Sequence, residues 1–294
     1  MKYTFIEAHR ATFAVQPMCK VLQVSRSGYY AWRSRPVSRR EMANQELMEQ
    51  IRVVHGESYE TYGSPRIYRE LDGKGIRCSE NRVARLMRQH GIAAKQTKRY
   101  KVTTKANRKY PAAPNLLGRQ FRASRPDETW LADITFIYTR QGWLYLAAVM
   151  DLFSRRIVGW AMAERMTSSL VSSALQMAIQ QRRPPIDLLH HSDQGSQYTG
   201  MDYQQLLQEN RMQVSMNGVG SYYDNAPIES FFGTLKQELV HHRYYQTRAE
   251  AMSDIFFYLE AFYNRRRRHS ALDYLSPIDF ECNFFALSTP LCVH

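Results

Sequence analysis

The 294-residue sequence predicts an α/β chain: a mixed five-stranded sheet flanked by helices, preceded by all-α helix-turn-helix segments. Three observations carry this. From Thr129 onward, short apolar runs and amphipathic segments alternate in the order β-β-β-α-β-α-β-α, which builds a mixed sheet covered by helices. Before that point the pattern is helical, with capping residues ahead of apolar-striped stretches. Charge divides the chain at nearly the same place. Residues 1–118 hold 23 Lys/Arg against 9 Asp/Glu, whereas residues 119–294 hold 17 against 18, so the +13 excess lies entirely in the first part.

The helical part is read first. Val21, Leu22 and Val24 lead to Ser25, a good N-cap, and then to the basic and aromatic run Arg26 to Arg33, like the end of a helix-turn-helix unit. Residues 44–92 repeat the idea. Ile51, Val54 and His55 share one helix; Pro65 opens a second in its first turn; Ser79 caps a third that runs through Gln89 to Gly91. That third helix gathers Val83, Leu86 and Met87 on one side and turns Arg82, Arg85 and Arg88 elsewhere. An apolar stripe with a basic face after a tight turn suits a recognition helix, and equally an ordinary three-helix bundle with a basic surface. Residues 93–124 form a linker in which Lys98, Arg99 and Lys101 interleave with tyrosines. It fits an arm that tracks phosphates, or a plain spacer. From Asn81 to Pro126 there are 13 basic residues and no acidic one. Such asymmetry points to nucleic acid, a solvated basic face or acidic lipid being the alternatives.

The sheet follows. Trp130 to Tyr138 is apolar on both faces and so belongs at the centre of the sheet, with Asp133 inside it. An aspartate there is costly unless paired or liganded. Trp143–Asp151 and Arg156–Met162 make the next two strands, and Ser168–Gln181 a helix. A strand Ile186–His190 ends at Asp193. Thr199 can cap a helix to about Glu209, and Met212–Met216 is the fifth strand. Asn225-Ala-Pro227 opens a helix that carries Glu229 and Lys236 two turns apart on one face. Thr247 and Glu250 form a capping box ahead of a long helix. The run Arg265 to Arg268, with Arg265 and Arg268 as the candidates for DNA, can grip phosphates or solvate a helix end.

Three carboxylates stand out. Asp133 lies 60 positions before Asp193, and 35 residues separate Asp193 from Glu229. Carboxylate oxygens are hard ligands that suit Mg²⁺ or Mn²⁺, and the four scattered cysteines with no Cys-x-x-Cys spacing argue against zinc and against a disulfide framework. No apolar run is long enough to span a bilayer and the first residues lack a signal peptide's apolar core, so a cytoplasmic chain that does not engage membranes is expected.

Trp130-x-x-Asp133-Ile-Thr, His191-Ser-Asp193-Gln-Gly-Ser-Gln-Tyr198, the gap to Glu229, and Tyr263-Asn…His269-Ser-Ala-Leu…Ser-Pro277 resemble the OrfB-type transposases of the bacterial IS-three insertion-sequence family, whose core is similar to retroviral integrases. Tyr62-Gly63-x-x-Arg66 resembles the helix-turn-helix segment of the same proteins. The resemblance implies an RNase H-like fold and the organisation 1–43 helical segment, 44–92 helix-turn-helix domain, 93–124 basic linker, 125–280 catalytic core and 281–294 tail. It implies DNA cleavage and strand transfer with two Mg²⁺ ions, Mn²⁺ able to substitute: Asp133 bridging both ions, Asp193 and Glu229 completing one shell each. Lys236 is then expected on a DNA phosphate, Asn225 orienting Glu229 or a phosphate, and the loop Asn217–Ser221 ordering on DNA and metal. The expected partners are double-stranded DNA (terminal inverted repeats and target), further copies of the chain on DNA and, since the chain starts without the upstream zipper segment of that family, the upstream-frame OrfA product. A nuclease or resolvase that cuts without joining, an inactive DNA-binding repressor and, more remotely, a tyrosine recombinase are the rival functions.

Overall fold

The computed structural model describes residues 1–95, 113–218 and 224–288. Lys98, Arg99 and Lys101, and part of the Asn217–Ser221 loop, lie outside the described residues. By its contacts the chain divides into Met1–Arg52 and Val53–His294. None of the helices among the described residues is long and apolar enough to cross a membrane.

The first unit holds α1 (Lys2–His9), α2 (Val15–Val21), α3 (Arg26–Ser34) and most of α4 (Arg39–Glu57). Ile6, Met18, Cys19 and Tyr29 form its small core. Ser25 caps α3 as its position predicts, its Oγ accepting from the Gly28 amide at 2.9 Å. The buried Tyr29 hydroxyl donates to Glu7.

The second unit opens with the end of α4, then α5 (Ser64–Gly73) and α6 (Glu80–Gln89). Pro65 stands in the first turn of α5, and Ser79 caps α6 by accepting from the Arg82 amide at 3.3 Å. Gly91, at φ +66°, turns the chain away in the left-handed region open to glycine. Ile67, Leu71, Val83, Leu86 and Met87 are buried. Arg85 and Arg88 are exposed and Arg82 half-buried, so the α6 stripe and basic face fall where the spacing puts them.

The sheet has strands β1 (Thr129–Thr139), β2 (Gly142–Asp151), β3 (Ile157–Ala163), β4 (Leu189–Ser192) and β5 (Gln213–Met216), in the order β3-β2-β1-β4-β5. β1 is central as its two apolar faces require. It runs antiparallel to β2 and parallel to β4. One face is covered by α7 (Ser168–Arg182), α8 (Ser196–Thr199) and α9 (Met201–Glu209), over a core of Trp130, Ala132, Ala147, Val149, Val158, Leu175 and Leu207. Gly159 lets α7 lie directly on β3: a Cβ there would come within 2.2 Å of the Ala174 carbonyl. The other face takes α10 (Ala226–Glu238) and α11 (Arg248–Phe257), followed by a π-helical stretch Tyr258–Tyr263 and α12 (Pro277–Ser288).

Three boundaries differ from the sequence pattern. β4 starts at Leu189 rather than Ile186, because Asp187 takes φ +66° and breaks the extended run, leaving Ile186 exposed. Thr199 does not cap the helix that runs to Glu209: it ends α8, and Gly200, which is extended (φ −65°, ψ 145°), serves as N-cap of α9. The long C-terminal helix gives way to the π-helical stretch at Tyr258.

Candidate active site

The parallel ladder of β1 and β4 pairs Ala132 with Ser192. β4 ends at that pair, so Asp193 is the first residue past the strand while Asp133 is the next residue of β1, and the two are close enough for Asp193 to act on the Asp133 carboxyl. Two carboxylates so placed repel, and the structure adds burial to the repulsion. Burial pushes the Asp133 carboxyl well above the usual carboxylate range, and Asp193 and Glu229 push it further. The Ile134 amide, 2.7 Å from Asp133 Oδ1, and the Lys236 ammonium pull the other way. Burial likewise raises the Asp193 carboxyl, opposed by the Gly195 amide that donates to its Oδ1 at 2.9 Å.

Glu229 and Lys236 come from α10. Glu229 sits on an exposed first turn, where the protein crowding its carboxyl still raises its pKa. Lys236 is half-buried. Its ammonium lies 4.7 Å from the centroid of the Phe136 ring, and burial lowers its pKa against the attraction of Asp133. Asn225 is the N-cap residue by position but makes no side-chain cap. Its Nδ2 donates instead to the Ala132 carbonyl at 3.0 Å, pinning the start of α10 to β1 next to Asp133, while its own carbonyl accepts from the Glu229 amide at 3.2 Å.

No group of three or more His, Cys, Asp or Glu side chains among the described residues is close enough to enclose an ion. The acids share a neighbourhood rather than a closed cage, which is what uncompensated anions do. Their chemistry still fits a hard divalent cation: the donors are all oxygen, and the excess negative charge is partly buried with little internal compensation.

Supporting contacts surround these residues, and among them the role of Asp224 is not read from the sequence motifs. Asp224, buried, accepts from Asn115 Nδ2 and Arg119 Nε, each at 2.8 Å, and from the Gly218 amide at 3.0 Å. It thereby ties the segment before β1 and the end of the β5 loop to the start of α10. Its place immediately before the capping Asn225 was the available signal. His191 bonds Ser215 and Asn217, each at 2.8 Å, and His190 bonds the Tyr203 hydroxyl at 2.9 Å. Burial drops the His190 pKa to about 3, so it stays neutral.

The arginine run is largely spoken for. Arg267 is buried and grips Glu238 with Nε and Nη2 at 2.8 and 2.7 Å, while the Tyr258 hydroxyl donates to the same carboxylate at 2.7 Å. The Arg268 guanidinium pairs with Glu70 of α5 and the Tyr274 carbonyl, and its amide donates to the Tyr62 hydroxyl at 2.7 Å. Of the two arginines expected on DNA, Arg265 is exposed, its Nε on the Glu260 carbonyl, whereas Arg268 holds the helix-turn-helix-like pair to the C-terminal segment.

Comparisons with known proteins match this layout. Residues 123–221 and 229–284 each match a family described as integrase core domain, and residues 42–100 match one described as HTH-like domain. The chain is 45% identical over 263 residues to the insertion element IS600 uncharacterized 31 kDa protein of Shigella sonnei, covering 90% of this chain and 97% of that one. It is 41% identical over 283 residues to transposase InsF for insertion sequence IS3A of Escherichia coli, covering 96% and 98%. Among solved structures, a chain of the cryo-EM structure of the simian T-cell lymphotropic virus intasome aligns at TM-score 0.47 and 16% identity, over 82% of this chain and 75% of that one.

Proposed function

The chain belongs to the OrfB-type transposases of the bacterial IS3 insertion-sequence family, and from that premise we propose that it cuts DNA at the ends of its element and joins the freed strand to a target, through Asp133, Asp193 and Glu229. The observation that supports this most is that Asp193, Glu229 and Lys236 all come within electrostatic range of Asp133, Asp193 from the end of β4 and the other two from α10. Two Mg²⁺ ions held by these oxygens, with Mn²⁺ able to substitute, would supply charge neutralisation and Lewis acidity for in-line displacement at phosphorus.

The chain's own residues do the rest. Asp133 is fixed within β1, and Asp193, just past the end of β4, is held by the Gly195 amide on its Oδ1. Glu229 adds a third carboxylate from a helix whose start Asn225 pins. Lys236 offers positive charge to a phosphate beside the acids, and Arg82, Arg85 and Arg88 present the basic side of α6 to the duplex, with Arg265 on the C-terminal segment. Water is the first nucleophile: it attacks phosphorus and frees a strand ending in a 3′-hydroxyl. That hydroxyl then attacks a phosphorus of the target strand, forming the new P–O bond as the P–O3′ bond of the target breaks and its 3′-oxygen leaves as a hydroxyl, and no protein nucleophile is required. Bringing two DNA ends together calls for several copies of the chain on double-stranded DNA, within the bacterial cytoplasm.

The test is strand transfer from a pre-cut 3′-hydroxyl end of the element's own terminal sequence, in Mg²⁺ against EDTA. Joining is expected in Mg²⁺ only, and Asp193→Asn is expected to abolish it while DNA binding persists. Hydrolysis without joining would mark a nuclease or resolvase. Binding without either reaction would mark a repressor.

A further inference from the structure

Along β1, residues Ala132, Ile134, Phe136 and Tyr138 share one face, and Ala147, Tyr145 and Trp143 of β2 stand opposite the last three. α7 and its neighbours cover only the first half of this face. The second half is bare: Phe136, Tyr138 and Trp143 are 39%, 65% and 45% exposed. The rings brace one another edge to face, Trp143 lying 5.1 Å from Phe136 at 85° and 5.4 Å from Tyr138 at 75°. Three exposed aromatics held rigidly together are not needed to fold a hairpin whose other face is already buried.

Cations border the patch. Lys236 lies over Phe136. Arg248 donates from Nε to the Trp143 carbonyl at 3.0 Å, and Arg140 is exposed at the hairpin turn. Glu164 also stands at this margin, 3.3 Å from Arg248. The patch is about 10 Å along the strand from Asp133, though on the opposite face. The two sides communicate around the margin of β1. β4 ends at Ser192, so among the described residues no strand pairs that margin beyond Ala132, and Lys236 reaches past it from α10.

We infer that Phe136, Tyr138 and Trp143 form a stacking site for unpaired nucleobases of the DNA end, with Lys236, Arg140 and Arg248 taking the adjoining phosphates. This deepens the transposase proposal and rests on it. Aromatic faces bind bases only when these leave the duplex stack, and rings with interleaved cations are the pattern that holds single strands whatever their sequence. An apolar protein partner would find this patch rimmed by positive charge.

The full chain is tested on a blunt duplex and on the same duplex with a short single-stranded end carrying 2-aminopurine. Wild type is expected to prefer the unpaired end and to quench the probe. Tyr138→Ala/Trp143→Ala should lose that preference by about tenfold or more, with the quenching, and leave blunt-duplex affinity unchanged. Tyr138→Phe/Trp143→Phe should keep both. Tyr138→Ala alone, at the most exposed ring, should lose several-fold without touching the core. The inference is overturned if the alanine variants bind both probes as wild type does, if Tyr138→Ala weakens both equally, or if the variants change only the oligomeric mass, which would make the patch an interface between copies. A wild type that binds neither probe defeats the transposase proposal itself.

Discussion

Replacing Asn225 by Asp separates two accounts of the same residue. Helix-cap preference ranks Asn and Asp together and adds a favourable dipole term for the acid, so position alone predicts a neutral or slightly stabilising change. The structure predicts the reverse, because the Asn225 side chain does not cap α10; it donates to the Ala132 carbonyl at 3.0 Å in a site where the residue is 1% exposed. A carboxylate has no proton to give. The Ala132 carbonyl is then left unsatisfied, worth about 1–3 kcal/mol. The introduced charge is also buried without a partner, near the buried Asp224 and the half-buried Asp133, which brings the total to about 3–5 kcal/mol at neutral pH. Asn225→Ala suffers only the first loss, about 1–3 kcal/mol. Urea unfolding reads both. The introduced carboxyl would have a folded pKa above its unfolded value, so the stability it permits is present at low pH and lost as pH rises through that folded pKa. Asn225→Asp should therefore recover on acidification and Asn225→Ala should not. Strand joining by Asn225→Ala should fall by about a hundredfold beyond any loss of folded protein, because Glu229 lies on the turn that Asn225 pins. An Asn225→Asp midpoint equal to wild type at pH 7 would refute the reasoning.

Arg267→Ala should lower stability by about 3 kcal/mol, a drop in melting temperature of about 10 °C, by taking from the buried Glu238 its bidentate partner and leaving it the Tyr258 hydroxyl and Arg66 at 3.8 Å; Arg267→Met with Glu238→Leu should lose much less, and thermal scans compare the two. Gly159→Ala drives a Cβ against the Ala174 carbonyl and should cost about 1–3 kcal/mol or more in urea unfolding, with α7 displaced from β3. Burial raises the Asp151 carboxyl to about 6, so the native state holds a proton that the unfolded chain has released. Stability tied to that proton is full below about pH 4 and is lost as pH rises through about 6, roughly 3 kcal/mol in all. Asp151→Asn should flatten that part of the stability–pH curve, and a slope unchanged by the substitution would rule the group out.

Much of the sheet is legible in the sequence because its signals are local. β1, β2 and β3 are long apolar runs bounded by turn residues, and Ser25, Ser79 and Thr247 cap the helices they precede. Asp133 stands out in the sequence for another reason: a carboxylate inside an apolar strand has few uses. What escapes is whatever depends on distant partners. Asp224 has no assigned role in the sequence until Asn115 and Arg119 are seen on it. Arg268 reads like its three neighbours until Glu70, 198 positions away, is found against it. The late start of β4 turns on one backbone angle at Asp187, which no periodicity encodes.

The pairing of Arg268 with Glu70 and Tyr62 has a consequence for how the protein is born. A ribosome adding roughly 5–20 residues per second needs on the order of 10–40 s to travel from one partner to the other. Throughout that interval the nascent α5 and α6 lack the C-terminal segment that fastens them. The helices synthesised early are thus secured only once Arg268 has been made, and a polypeptide released before that point would display its basic helix without the anchor that Arg268 provides.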